Sequence, residues 1–161
     1  MVFATCIPVR PSDLDQIVHH SNYGPWLEIG RTELFRQVGI SYGSMEQRGV
    51  LLAMTELWMC CKPWSHSTYG DSVVILTTPE EISSATMGFR YEVRRVDSFV
   101  APEGRLTDEH LVSIEEHSHL VVAAKSKHAF ADRGANPLSL DQVEPEVYER
   151  LRDTFANLFD A

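Results

Sequence analysis

The spacing of apolar positions divides the chain into a helical early part and a strand-rich remainder. Residues 3–10 are a short strand candidate, and apolar side chains then recur at helical spacing between residues 22 and 38. Ser21 precedes this helix as a suitable N-cap, and Gly39 follows it as a stop. A short further turn of helix is predicted at 42–47. The early part of the chain is therefore predicted to contain one long helix.

Downstream of the short helical turn, the pattern changes to that of β-strands. Residues 50–62 are apolar with little charge, as in a strand covered on both faces, and residues 72–78 are rich in β-branched side chains. Residues 84–96 alternate between apolar and charged positions, which indicates a half-solvated antiparallel strand. A long polar loop is predicted at 98–110, and the last long strand at 111–131.

These elements predict an α+β fold. Strands joined by short turns pair antiparallel, so the long strands are expected to form a meander whose apolar face the early helix covers. Gly30, in the middle of that helix, lets a curved sheet approach closely. We expect an antiparallel sheet wrapped round one long central helix, with an extra C-terminal helix at 146–159. A single domain is expected over 1–161, with 1–132 as its core and 133–161 as a loop and that C-terminal helix.

Composition and charge narrow the functional classes. The chain is 43% apolar and 23% charged, as in globular proteins, and no apolar run reaches the ~20 residues of a membrane span. The 14 basic and 23 acidic residues give a net charge of −9, which argues against a general nucleic-acid binder. Three cysteines without a CxxC pair, and an N-terminus without a secretory signal pattern, predict a cytoplasmic location.

Three short motifs lie between residues 10 and 38. They read Arg10-x-x-Asp13-x-Asp15, Val18-His19-His20-Ser21-Asn22-Tyr23 and Glu28-x-x-Arg31-Thr32-Glu33. Together they resemble the 4-hydroxybenzoyl-CoA thioesterase branch of the hotdog-fold acyl-CoA thioesterases, and the resemblance extends over roughly residues 3–131. It implies a hotdog fold and hydrolysis of the thioester of an acyl-CoA or an acyl-carrier protein. No cofactor is expected, because CoA is part of the substrate.

The resemblance also implies how the catalytic groups are arranged. Thioester hydrolysis needs a carboxylate, as nucleophile or general base, and hydrogen-bond donors for the developing oxyanion. A strand end followed closely by a helix N-terminus supplies both. The implied carboxylate is Asp15 if the strand motif is aligned, which we favour, or Asp13 if the helix motif is aligned. The implied oxyanion donor is the backbone N–H of His20, whose side chain also belongs to the catalytic set.

Further residues of the motifs are implied to bind substrate: His19, Asn22, Tyr23, Glu28 and Lys62. Two simpler interpretations stand beside these roles. Glu28, Arg31 and Glu33 have the spacing of ion pairs along a helix. Trp58 and Tyr91 are expected in the core rather than in an acyl pocket.

A metal site is considered and not predicted. His117 and His119 lie two apart, and with Glu115 they would share one face of a strand. In-line strand positions of this kind are more typical of an exposed polar face. The prediction is therefore that the protein holds no metal.

Partners and alternative functions follow from the same resemblance. Hotdog folds pair two chains into one long sheet with sites between the subunits, so a homodimer or a dimer of dimers is expected. The segment between Asp15 and Val18 is shorter than the family pattern and lacks its Gly. This difference keeps a non-catalytic acyl-CoA binding protein open as an alternative. The Asp15…His20 spacing also keeps open an enoyl-CoA hydratase, and the 98–110 loop with the terminal helix keeps open a protein-interaction module.

Overall fold

The structure is a computed structural model that describes residues 1–10, 14–15, 17–62, 67, 70–96 and 105–158. Its strands are β1 (Phe3–Pro8), β2 (Leu14–Asp15), β3 (Ile17–Val18), β4 (Leu51–Cys61), β5 (Ser72–Ile82), β6 (Thr86–Val96) and β7 (Ser118–Ala131). Its helices are α1 (Tyr23–Gln37), α2 (Tyr42–Gln47), α3 (Asp108–Glu116), α4 (Leu140–Val143) and α5 (Pro145–Thr154). Among the described residues, 3₁₀ turns lie at His20–Asn22 and Ala156–Leu158. Among the described residues, no helix combines the length and apolarity needed to cross a membrane.

Five strands form one antiparallel sheet in the order β1-β5-β6-β7-β4. The predicted meander is confirmed for β5, β6 and β7, but β4 does not lie beside β5. It pairs with β7 at the far edge, from Leu51 opposite Ala131 to Cys61 opposite Val122. The helices α1 and α2 separate β1 from β4 and carry the chain across the sheet, so the two strands occupy opposite edges.

The long helix α1 packs on one face of this sheet. Its buried side chains include Leu34 and Phe35, and the Phe35 ring lies 6.4 Å from that of Phe89 in β6. A Cβ atom added to Gly30 would lie 2.7 Å from Oγ1 of Thr77 and 2.8 Å from Cγ2 of Ile75. The predicted close approach at Gly30 is therefore confirmed.

The segment before β7 differs from the prediction. The sequence predicts a strand from 111, whereas helix α3 occupies Asp108–Glu116 and β7 begins at Ser118. Thr107 forms a capping box with His110 at the start of this helix, and Ile114 is its buried residue. These capping contacts favour a helix. The predicted 98–110 loop lies in part outside the described residues.

The C-terminal part of the chain completes the core. The helix predicted at 146–159 is observed as α5 and the following 3₁₀ turn, and a further short helix, α4, lies in the predicted loop. Leu151 and Phe155 are fully buried, and the Phe155 ring packs edge-to-face on Phe3 at 6.2 Å. The end of the described chain therefore covers its first strand.

Strand β4 is the exposed edge of the sheet. The apolar run predicts a strand covered on both faces, but the middle of β4 is exposed. Met54, Leu57 and Trp58 are 58%, 40% and 56% exposed. The expectation that Trp58 is a core residue is wrong for the single chain, whereas Tyr91 is buried as expected. An apolar edge strand of this length exposes unpaired backbone groups and hydrophobic side chains to solvent.

Candidate active site

The start of α1 is fixed by a histidine. His19 is extended, with φ −68° and ψ 133°, and the turn His20–Asn22 leads directly into the helix. The Nδ1 atom of His19 accepts from the backbone N–H of Ser21 at 3.3 Å and lies 2.8 Å from the Ser21 hydroxyl. Ser21 is thus hydrogen-bonded to His19, and it is not the N-cap of α1 that the sequence predicts. Asn22 makes no side-chain cap to the helix.

A tight hairpin lies immediately before this helix start. Strands β2 and β3 pair antiparallel, with Leu14 opposite Val18 and Asp15 opposite Ile17. The chain therefore turns back on itself directly after Asp15 and reaches His19 at the end of β3. Of the two predicted catalytic residues, Asp13 lies outside the described residues. For Asp15, the structure describes the backbone, which pairs with Ile17.

The two histidines of the motif lie side by side. The rings of His19 and His20 are 4.3 Å apart, and both residues are exposed. Their neighbour Tyr23 points into the core, where its ring lies 5.6 Å from that of Trp26. Burial raises the pKa of Tyr23 to about 12, with a smaller contribution from Cys61. The phenol is therefore neutral at physiological pH.

A cavity of about 420 Å³ opens between the first turns of α1 and strands β4 and β7. Its apolar walls are formed by Pro25, Leu27, Leu52, Met54 and Leu57. The predicted residue Glu28 also lines it and is exposed. Lys62, at the end of β4, is not among the lining residues; its backbone N–H donates to the carbonyl of Val121 at 2.8 Å.

A chain of buried polar groups forms the inner wall of this cavity. Nη1 of Arg31 lies 3.3 Å from Nε2 of His128, which lies 2.8 Å from the hydroxyl of Ser126. The same hydroxyl lies 3.1 Å from that of Tyr91. Since a guanidinium group can only donate, Nε2 of His128 must act as an acceptor, which places the imidazole proton on Nδ1.

The electrostatics of His128 agree with an uncharged ring, which an acceptor Nε2 requires. Burial and, second, the positive charge of Arg31 lower the pKa of His128 from 6.5 to about 4. The imidazole is therefore neutral at pH 7. Burial also raises the pKa of the Tyr91 phenol, so at this pH Arg31 is the charged member of the buried chain.

The expected ion pairing along α1 is not the one observed. Glu33 pairs with Arg36 at 2.6 Å, and no carboxylate of the described residues forms an ion pair with Arg31. The motifs in the sequence do not include Ser126 or His128. The signal that identifies them is their position in β7, where they alternate with exposed lysines and share the inward face of a buried strand.

A second cavity, of about 510 Å³, adjoins the first. Leu57 and Ser126 line both cavities. Both cations that line the second cavity are paired with carboxylates: Lys125 with Glu80 at 3.2 Å and Lys127 with Glu81 at 3.3 Å. The first cavity, by contrast, is lined by Arg31, a cation that no carboxylate of the described residues pairs with.

The three residues weighed as metal ligands, Glu115, His117 and His119, do not share a strand face. Glu115 belongs to α3, and His117 follows that helix, with Nδ1 2.9 Å from the carbonyl of Ser113. Only His119 lies in β7. In the described part of the chain, no group of three His, Cys, Asp or Glu side chains is arranged to hold a metal ion.

Comparison with known proteins identifies relatives among thioesterases and esterases. No family model matches the chain. The "Putative esterase" of Aquifex aeolicus (strain VF5) is 32% identical over 90 residues, which are 56% of this chain and 69% of that protein. The "Putative acyl-CoA thioesterase YneP" of Bacillus subtilis (strain 168) is 35% identical over 89 residues, 54% of this chain. That match spans 63% of YneP, less than two thirds of its length.

Solved structures share the whole fold. DHNA-CoA thioesterase from Staphylococcus aureus superposes with a TM-score of 0.78 at 22% identity, covering 96% of this chain and 91% of that one. A mutant 4-hydroxybenzoyl CoA thioesterase complexed with 4-hydroxybenzoyl CoA gives 0.67 at 18% identity, covering 92% and 97%. The five-stranded antiparallel sheet with its helices is the α+β architecture of these enzymes. The chain belongs to the hotdog-fold thioesterase superfamily.

Proposed function

We propose that this chain is an acyl-CoA thioesterase, which hydrolyses the thioester of an acyl-CoA or of an acyl-carrier protein. The observation that carries the proposal is the cavity of about 420 Å³ with apolar walls at the start of α1. Its position beside a helix N-terminus suits an acyl group whose carbonyl must be polarised. The relatives named as thioesterases, one of them complexed with an acyl-CoA, support the same reaction class.

In the proposed reaction, the acyl group enters this cavity and the thioester carbonyl lies at the turn His20–Asn22. The backbone N–H of His20, at the start of this turn, donates to the developing oxyanion. The carboxylate of Asp15, or of Asp13 in the alternative alignment, attacks the carbonyl or activates water. Over the whole reaction, water adds a hydroxyl group to the acyl carbon, the C–S bond breaks, and the sulfur of CoA gains the proton.

The remaining predicted site residues have supporting roles in this proposal. His19 holds the oxyanion turn through its bonds to Ser21, and Asn22 is the last residue of that turn. Glu28 borders the cavity. Tyr23 supports the helix start from within the core, and Lys62, exposed at the end of β4, is a candidate for contact with the phosphates of CoA.

We further propose that the working unit is a homodimer joined along β4, alone or within a dimer of dimers. The apolar run of this strand is typical of a strand covered on both faces, yet Met54, Leu57 and Trp58 are exposed at the sheet edge. A second copy would pair with the unpaired edge and cover these side chains. Met54 and Leu57 also line the cavity, so such a partner would lie beside the acyl group.

The decisive experiment measures release of free CoA from short, long and aromatic acyl-CoAs by the purified protein. Asp15→Asn and Asp13→Asn are assayed beside the wild type, with circular dichroism as the control for folding. The proposal expects turnover that one substitution abolishes and the other spares. Turnover that survives both substitutions would contradict the assigned carboxylates.

A specific feature favours one alternative, a non-catalytic acyl-CoA binding protein. The hairpin that joins β2 to β3 is short, with Asp15 directly opposite Ile17. The segment from Asp15 to Val18 is also shorter than the family pattern and lacks its Gly. Tight binding of acyl-CoA without CoA release, by folded wild-type protein across the whole panel, would establish the alternative.

A further inference from the structure

Arg31 is a buried cation without an anionic partner. The residue is 9% exposed, and no carboxylate of the described residues forms an ion pair with it. Among those residues its guanidinium group contacts neutral partners, Nε2 of His128 at 3.3 Å and the Tyr91 hydroxyl. Glu28, one turn earlier on α1, lines the same cavity but makes no such pair.

The neighbours of Arg31 cannot neutralise its charge. His128, Ser126 and Tyr91 are uncharged at pH 7 and contribute only dipoles. A buried guanidinium group is costly unless an anion accompanies it. Arg31 lines the cavity, and none of its guanidinium nitrogens is a buried atom without a partner.

We propose that Arg31 binds a carboxylate at the far end of the acyl group, so that the substrates are CoA thioesters of short dicarboxylic acids. The inference rests on the proposed thioesterase function and names its substrate class. The planar fork of a guanidinium group matches a carboxylate through two parallel hydrogen bonds. The apolar walls formed by Leu27, Leu52 and Leu57 suit the methylene groups between the carboxylate and the thioester.

The position of Arg31 on α1 limits the length of the acyl group. Asn22, the last residue of the turn proposed to hold the carbonyl, and Arg31 are nine residues apart, which corresponds to about 14 Å along the helix axis. Helical side chains lean toward the helix N-terminus, so the guanidinium group lies closer to the helix start than its own Cα. Glutaryl-CoA is therefore a suitable probe, with succinyl-CoA and adipyl-CoA as shorter and longer neighbours.

The first test compares kcat/KM for glutaryl-CoA and valeryl-CoA, which have the same number of acyl carbons and differ in the terminal carboxylate. We expect a preference of about 100-fold for glutaryl-CoA, since leaving one member of a buried charge pair alone is strongly unfavourable. Arg31→Met should bring the ratio of the two values close to one, and Arg31→Lys should restore part of it. The control Arg36→Met removes a cation from the same helix outside this cavity and should keep the preference.

Binding measured without hydrolysis separates this inference from the proposed function. Calorimetry uses thioether analogues of glutaryl-CoA and valeryl-CoA, in which a methylene group replaces the thioester carbonyl. Tighter binding of the carboxylate analogue that Arg31→Met removes supports the inference, even if no thioester is hydrolysed and the proposed function fails. Equal binding of both analogues, or hydrolysis that favours valeryl-CoA, would overturn it while thioesterase activity stands. A preference confined to 4-hydroxybenzoyl-CoA over benzoyl-CoA would also overturn it, because the group recognised would then be a phenol.

Discussion

The ring of Phe155 packs edge-to-face on that of Phe3, with ring centroids 6.2 Å apart. The last described turn of the chain thereby covers the first strand, and Phe155 is fully buried. The C-terminal segment 133–161, expected from the sequence as an addition to a core at 1–132, contributes Leu140, Leu151 and Phe155 to the hydrophobic core.

Phe155→Ala should destabilise the protein by about 3–5 kcal/mol, because it removes a large buried ring and leaves a cavity over β1. The measurement is the free energy of unfolding in urea. Val143→Ala, which truncates an exposed side chain of α4, serves as the control and should change stability by less than about 0.5 kcal/mol. Equal effects of the two substitutions would show that the C-terminal segment is peripheral.

Gly30→Ala should destabilise the protein even though alanine favours helices. The new Cβ atom would meet Oγ1 of Thr77 at 2.7 Å and Cγ2 of Ile75 at 2.8 Å, both on β5. Overpacking of this kind costs about 1–3 kcal/mol, more than the ~1 kcal/mol gained in helix propensity. The matched control is Gly43→Ala in α2, where nothing lies within 4 Å of the added atom, and this variant should be stabilised. The change in urea midpoint should therefore have opposite signs in the two variants.

The stability of the fold should fall as the pH is lowered from 7.5 to 5. The pKa of His128 is about 4 in the folded chain, below its ordinary value of 6.5, so the unfolded chain takes up the proton first. The loss between these pH values is about 2 kcal/mol for this group alone. His128→Gln should remove that part of the pH slope in urea unfolding, whereas His119→Gln, at an exposed position, should retain it. An unchanged slope in His128→Gln would contradict the neutral, buried state of the imidazole.

Trp58→Lys should convert the proposed dimer into a monomer, because it places a charge on the apolar edge of β4. Light scattering coupled to size-exclusion chromatography at micromolar concentration gives the mass directly. Val112→Lys makes the same kind of change at an exposed apolar residue of α3 and should leave the mass unaltered. A wild-type chain that is monomeric at this concentration would refute the proposed assembly.

The helices and strands with strong periodicity were predictable, and the elements fixed by local capping were not. Helix α1 lies within one residue of its predicted bounds, because its apolar positions repeat over four turns. Periodicity does not predict helix α3, because its formation depends on the Thr107 capping box and one buried side chain, Ile114. The position of β4 beside β7 depends on pairing between segments far apart in sequence, which a local pattern does not encode.

Part of the candidate site also follows from local sequence, and part depends on contacts between segments far apart in the chain. The motif places a helix start at His20–Asn22, and the structure has a turn there that leads into α1. Arg31 and Glu28 belong to a recognisable helix pattern, yet helix spacing alone suggests an ion pair between them. Only the sheet reveals that His128 approaches Arg31 from 97 residues away in sequence. Burial of the cation is therefore a tertiary property that the sequence pattern does not contain.

The polar chain from Tyr91 through Ser126 and His128 to Arg31 joins β6, β7 and α1 across an otherwise apolar contact. Apolar faces tolerate small slides, since leucines repack at modest cost. A shift of α1 by one residue moves Arg31 by about 1.5 Å, enough to break its 3.3 Å contact with His128. We infer that the polar chain fixes the register of α1 on the sheet, because alignments shifted by one residue would lose its hydrogen bonds.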